Sequence, residues 1–263
     1  MKKTTPRQVQ GVQGVEIGLK LAFVLASAHG PLALRDLAQA AGLAPSKAHR
    51  YLVSLCRSGL IEQLGRHGEY DLGEGAVALG LAAQRRRDEY QMADDAAAQL
   101  CDTTHQTVSV IVWGSHGPTV VRRRECLRPV TVITPIGTVI SVSASASGRV
   151  FAAFMPAKII DPLIAAEFAA GRKPTHLGRT LNKKSLRALI ATIRRQRLSQ
   201  VRGDLVSGID AWAAPVFNHE GRIAMVLTIV GTHGAIDTAP RGKHAPALAQ
   251  TAAALSKRLG FRE

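Results

Sequence analysis

The stretch from Leu34 to Leu72 constrains the fold more than any other. Leu34–Ala41 and Pro45–Arg57 each carry the apolar spacing of a short helix. Between them Gly42-Leu43-Ala44 leaves room only for a tight corner, with Gly42 able to take the positive φ it needs. Leu37, Ala38, Ala41, Leu43, Ala48, Tyr51, Leu52 and Leu55 fall on the faces that two crossing helices turn toward each other. Pro45 stands at a first helical position, where its missing N–H would be unpaired anyway. This packing leaves Ser46, Lys47, His49, Arg50 and Ser54 on the outer face of the second helix. Short donors and cations along such a front suit a helix that lies in the major groove of double-stranded DNA.

Two strands follow. Leu60–Leu64 and Glu69–Leu72 flank Gly65-Arg66-His67-Gly68, a hairpin with a basic tip at Arg66 and His67. Helix, turn, helix and basic-tipped hairpin are in the order of a winged helix-turn-helix. The alternative for the same pattern is a small helical subdomain used for protein contacts. Upstream, Gly14–His29 reads as the helix that completes a three-helix core, with Val15, Leu19, Ala22, Phe23 and Ala26 on one face. Residues 1–13 read as a flexible basic tail.

Charge alone points elsewhere. The net charge is +15, which favours a polyanionic partner. Residues 1–90 hold 12 Lys or Arg against 8 Asp or Glu, whereas the remainder holds 22 against 11. The C-terminal excess is expected to be a solvated face with some long-range attraction to DNA. Three widely spaced cysteines, Cys56, Cys101 and Cys126, with no metal-ligand spacing, read as reduced thiols. No apolar run has the length of a membrane span or a secretory leader, so a soluble, cytoplasmic protein is expected.

Past Gly73 the pattern changes. Gly73–Asp88 reads as a linker helix with a small face at Ala76, Leu79, Gly80 and Ala83, suited to packing against a second copy, and Tyr90–Thr103 continues as helix. Strands are expected at Gln106–Trp113, Thr119–Arg122, Val130–Thr134, Ala211–Phe217 and Ile223–Val230. Leu205–Ile209 reads as an irregular loop or edge strand. Helices are expected at Arg149–Phe154, behind a small-residue loop, and at Ile159–Ala169, Leu186–Arg197 and Pro246–Leu259. Strands, then helices, then a hairpin and a helix make an α+β domain, with helices expected against one face of an antiparallel sheet and a ligand cavity on the other.

The chain resembles the IclR family of bacterial transcriptional regulators. The resemblance rests on Leu34-Arg35-Asp36-Leu37-Ala38, Gly42-Leu43, Ser46, Ala48-His49-Arg50, Gly59-Leu60-Ile61-Glu62 and Tyr70-Asp71-Leu72-Gly73. It continues in Ser143–Phe154, in Gly208–Phe217 with its Ala213-Ala214-Pro215-Val216-Phe217 ending, and in Gly221-Arg222-Ile223. It implies a tail at 1–13, a winged helix-turn-helix domain at 14–73, a linker helix at 74–89 and a GAF-like effector-binding domain at 90–263. A homodimer or homotetramer on pseudo-palindromic operator DNA is expected, because one winged domain reads too few bases to be specific alone. In the better-known family pattern a polar site binds a small keto acid through an acid, a Cys and two serines. The matching places here are Val201, Ala211, Thr228 and Val230, so most of those polar ligands are missing.

The resulting expectation is a ligand-responsive DNA-binding regulator of catabolic genes. Its effector should be a small organic acid with an apolar body, an aromatic carboxylate or a related intermediate, held by Ser143, Ser145, Ser147, Gly148, Ala211, Thr228 and Val230. The alternative is a DNA-associated dimeric protein whose C-terminal domain serves only oligomerisation. An enzyme is not expected. His105, His116, His176, His219, His233 and His244 are scattered and fall in predicted turns or strand ends. There is no Gly-x-Ser-x-Gly elbow and no phosphate-binding glycine loop, and neither cofactor nor metal is implied.

Overall fold

The computed structural model describes residues 11–28, 30–65, 68–85, 88–126 and 134–262, in two compact units, Met1–Arg87 and Asp88–Glu263. In the first unit α1 (Gln13–Ser27), α2 (Leu34–Ala40) and α3 (Pro45–Arg57) enclose Leu21, Leu25, Leu37, Ala38, Ala48 and Leu52. Ile61 and Tyr70, from the antiparallel pair β1 (Ile61–Leu64) and β2 (Glu69–Leu72), close that core. Each fully buried Leu or Ile here contributes about 1.5–3 kcal/mol through its apolar surface. Gly42 turns the corner between α2 and α3 at φ 66°, the left-handed conformation its position requires. A short piece of extended chain at Leu32 pairs with Tyr70 in both directions, at 3.0 and 2.8 Å, and fixes β2 to the helices.

The inward face of α1 differs from the expected one. Val15, Leu19, Phe23 and Ala26 are exposed; the buried residues are Gly18, Leu21, Ala22 and Leu25. The helix is apolar on two sides, and periodicity alone does not say which side packs inward. After β2 comes α4 (Glu74–Arg85). The helical connector does not run on unbroken. Asp88 leaves helical geometry and caps α5 (Glu89–Thr104), its carboxylate accepting from the N–H groups of Tyr90 and Gln91, both at 3.0 Å.

The second unit is built on one antiparallel sheet. Its strands are β3 (Thr107–Gly114) and β4 (Gly117–Arg124), then, after α6 (Ala146–Phe154), α7 (Ala157–Ala169), the two-residue strands β5 (Thr175–His176) and β6 (Arg179–Thr180), and α8 (Lys183–Gln196), come β7 (Ser199–Arg202), β8 (Ile209–Phe217) and β9 (Ile223–Thr232). α9 (His244–Arg258) follows. The sheet order is β4-β3-β9-β8-β7. Both faces carry helices, not one as expected. α5 and α9 cover Val108, Val110, Trp212, Ala214, Leu227 and Ile229. α6 and α8 cover Ile111, Val201, Ala211, Ala213 and Val226.

Several boundaries move for local reasons. α6 begins three residues before Arg149, because Ser145 is its N-cap and accepts the Gly148 N–H at 2.8 Å. α8 begins at Lys183, where Asn182 and Ser185 form a reciprocal capping box. The edge strand is β7 rather than Leu205–Ile209, which runs from a turn into β8. The strand expected at Val130–Thr134 falls mostly on residues 127–133, outside the described residues. No helix among the described residues is long and apolar enough to cross a membrane.

Candidate functional site

The first candidate surface is the outer side of α3. Ala48 and Leu52 are buried, which sets the rotation of the helix and leaves Ser46, Lys47, His49, Arg50 and Ser54 exposed. Arg57, which sequence reasoning did not single out, is exposed on the same arc, about two turns beyond Arg50. His49 lies at the rim, its Nδ1 3.4 Å from the Tyr70 hydroxyl, so it ties α3 to β2. Arg66 and His67 at the hairpin tip lie outside the described residues.

The second is a cavity of about 90 Å3 between the sheet and the start of α6. Its walls bring together Ser145, Ser147, Ala211, Thr228 and Val230, five of the seven residues expected there. Val201 lines it too, so all four places matched to the family's polar set face one space. Ser147 and Thr228 join across it, Oγ to Oγ1, at 2.7 Å. Register explains the convergence. Ser109 pairs with Thr228 and Ala211 with Val230, so alternate residues of β3, β9 and β8 look the same way. Asp210 and Trp212 therefore look to the opposite face. Trp212 donates its ring N–H to the Asp237 carbonyl at 3.1 Å, and Asp210 lies 3.0 Å from His233 Nδ1.

Ser143 and Gly148 are not on the cavity wall. Ser143 is buried against α7: its N–H and that of Val142 donate to the Glu167 carboxylate at 2.9 and 2.8 Å, and its hydroxyl does the same. A protein carboxylate thus already occupies Ser143, one of the residues expected to hold the ligand acid. Gly148 serves close approach instead, since a Cβ there would lie 2.1 Å from the Ser141 carbonyl oxygen.

The cavity's outer cover is the turn between β7 and β8. Leu205 and Val206 line it while 42% and 43% exposed. Asp204 anchors this turn from a buried position. It accepts from the Thr175 hydroxyl through its carbonyl at 3.2 Å and its carboxylate at 3.3 Å, and lies 3.8 Å from the Arg149 guanidinium. Arg149 is fully buried and donates to the carbonyls of Ser143, Gln200 and Thr175 at 2.8, 3.4 and 2.6 Å. Burial pulls its pKa down to about 10, against the favourable field of Asp204. Burial, then the Arg149 charge, lowers that of His176 beside them. The functional candidates missed by sequence reasoning are Ser109 and the cover residues, with Arg149 and Glu167 as their supports. No local pattern marks them, because each takes its role from a partner far away in the chain.

Two family descriptions match, "IclR helix-turn-helix domain" over residues 14–65 and "Bacterial transcriptional regulator IclR C-terminal" over residues 82–257. The chain belongs to the IclR family of bacterial transcriptional regulators. Within the family it is similar to the crystal structure of Pseudomonas aeruginosa HmgR, at 34% identity and a TM-score of 0.82, covering 95% of this chain and 99% of that one. It is 25% identical to the HTH-type transcriptional regulator XynR of Escherichia coli over 250 residues, 95% of this chain and 98% of XynR. The match to Transcriptional repressor IclR of Escherichia coli is 28% identical over 155 residues, and spans 58% of this chain and only 57% of that protein. The matches give the chain a helix-turn-helix domain and a C-terminal effector domain, in a family of regulators rather than enzymes.

Proposed function

We propose that this IclR-family chain is a ligand-responsive regulator of catabolic genes. In this reading α3 and the β1–β2 tip hold operator DNA, and the effector is a small organic acid with an apolar body, of the aromatic carboxylate class. The observation that carries the ligand reading is the cavity wall. Ile111, Val120, Ile140, Val201, Ala211 and Val230 supply apolar surface, and five hydroxyl-bearing residues, Ser109, Thr134, Ser145, Ser147 and Thr228, line the same space beside the first turn of α6. Helix N-terminal amides and hydroxyls together favour an anion, while the walls favour an apolar body. No Lys or Arg lines the space among the described residues.

The cavity of about 90 Å3 is smaller than the roughly 150 Å3 that accepts benzene in an engineered apolar core. An aromatic acid therefore enters only as the Leu205–Val206 cover shifts, and that shift is the proposed signal. Calorimetry with benzoate-type and pyruvate-type acids tests the reading. The aromatic acid should bind more tightly; tighter binding of pyruvate would refute the apolar-pocket assignment.

Assembly into a dimer or a dimer of dimers belongs to the same proposal. One helix-turn-helix reads too few bases alone, and two-fold symmetry pairs half-sites about one helical turn apart. Leu79 and Gly80 of the proposed contact are exposed and Ala76 is half-buried, with Val77 and Leu81 exposed beside them. A monomer by sedimentation at micromolar concentration would contradict it.

A further inference from the structure

We propose that α8 of the effector domain is a second DNA-contacting surface, a phosphate-binding face that holds duplex without reading its sequence. Residues 168–203 contain ten Lys or Arg and no Asp or Glu, two-thirds of the chain's net charge of +15. The structure concentrates half of those cations on one side of one helix. Leu186 and Ile193 are buried and fix the rotation of α8, leaving Lys183, Lys184, Arg187, Arg194 and Arg195 exposed. At 100° per residue these five fall within an arc of roughly 120° over three turns, and Ala191 lies among them.

Arg172, Lys173 and Arg179, all exposed, lie in the segment between α7 and α8. The acids within reach do little to neutralise this face. Glu167 is committed to the Val142 and Ser143 amides, and Asp161 approaches Arg187 only at 4.0 Å. Arg194 donates its Nε–H to the Ala153 carbonyl at the end of α6, which holds the side chain while leaving its charge.

The chemistry of the arc selects the partner. A protein interface is centred on aromatic or large apolar anchors, and the arc offers only Ala191 between its cations. It lacks the short polar side chains that make α3 able to discriminate base edges. Lys183 and Lys184 also stand in the first turn of α8, where the helix dipole already repels cations, so the face gains from a polyanion lying along it. The inference rests on the DNA-binding reading of the N-terminal unit.

The test compares the full-length chain with three variants, by fluorescence anisotropy on a long duplex of arbitrary sequence across a salt titration. The first combines Lys184→Glu, Arg187→Glu and Arg195→Glu. The second makes the same change of charge elsewhere in the unit, at Arg222, Arg241 and Lys243, each to Glu. The third combines Lys47→Ala and Arg50→Ala. The α8 variant should flatten the plot of log affinity against log salt by about 0.9 for each phosphate it no longer neutralises, with the second variant close to the unaltered chain. Equal flattening in the first two variants would reduce the effect to net charge and overturn the proposal. An unchanged slope in the α8 variant would also overturn it, and loss of that variant's binding to phosphatidylserine vesicles would then assign the face to a membrane. The third variant reports separately on the N-terminal reading. If it leaves affinity intact on an operator selected from a random pool, that reading fails, whatever the α8 variant does.

Discussion

The two units keep their candidate functional side chains in opposite states. On α3 the named residues are exposed, and apart from His49 at the rim and the weak Ser54 contact to the Arg50 carbonyl at 3.5 Å, their side chains hold nothing else in place among the described residues. Around the cavity, Ser145 caps a helix, Ser147 and Thr228 bond each other, and the supporting Arg149 gathers three segments of chain. A surface that binds a large, preformed polyanion can be separate from the core. A site that encloses a small molecule has to be made from the core. The comparison teaches that recognition and stability should be separable in the first unit and inseparable in the second.

Arg149→Met should produce the largest effect and tests the second half of that statement. Removing one partner of a buried ion pair leaves the other uncompensated, and such changes cost about 3–5 kcal/mol. The Asp204 side chain, 1% exposed, would be left facing only neutral donors. Urea unfolding followed by tryptophan fluorescence reports the destabilisation cleanly, because Trp113 and Trp212, the chain's two tryptophans, are both in this unit. Adding Asp204→Asn should cost less than the sum of the two single changes, as expected of coupled partners. Additive effects would mean that Arg149 acts through its carbonyl contacts alone.

Arg50→Ala and Lys47→Ala test the first half. On an operator selected from a random pool, removal of a base-reading Arg costs about 1–3 kcal/mol and relaxes one position, whereas removal of a phosphate-contacting Lys weakens all sequences alike. Circular dichroism and thermal midpoint should stay put in both. Unchanged affinity in both, with normal folding, would remove α3 from the interface; a collapsed midpoint would erase the contrast between the units.

The same contrast governs what the sequence revealed. The α2–α3 corner was legible because its signals are local: Gly42 for φ, Pro45 for the helix start, and an apolar set within one window. The cavity was half legible. Ala211, Thr228 and Val230 could be placed through family resemblance, but Ser109 joins them only through strand pairing across more than a hundred residues. The side-chain direction of Asp210 and Trp212 is not legible in the sequence, because one residue of register reverses a strand's faces. The inward side of α1 was misread for an analogous reason: Leu21 and Leu25 compete with Leu19 and Phe23, and tertiary packing selects between them. Ser143 looked available to a ligand because nothing near it in sequence announces Glu167.

Thr228→Val is a milder probe of coupled function and stability. It keeps the shape of the side chain, removes the bond to Ser147, and leaves that hydroxyl facing the cavity. Deleting a neutral hydrogen bond of this kind costs about 1 kcal/mol. Both the unfolding midpoint and the affinity for an organic acid should fall. A lower midpoint with undiminished carboxylate binding would confine the Ser147–Thr228 pair to architecture and shift the anion site toward the α6 amides alone.

The smallest effect is a pH dependence seated in His244. This residue was expected in a surface turn but is fully buried at the start of α9. Its Nδ1 accepts the Asp237 N–H at 2.8 Å, a bond that only the neutral ring can make. Burial, then the charge of Lys243, lowers its pKa below the ordinary value, and His176 is lowered in the same direction. With the folded pKa below the unfolded one, the unfolded chain takes up protons first as the solution is acidified. Stability is therefore complete above about pH 6.5, the ordinary histidine value, and declines as pH falls below it. The tryptophan-monitored urea midpoint of the second unit should drop through that range. His244→Asn retains an acceptor near the Asp237 N–H and cannot titrate, so it should flatten part of the decline while His176 supplies the remainder. A decline of full size in His244→Asn would show that this ring does not carry the effect and would assign it to His176.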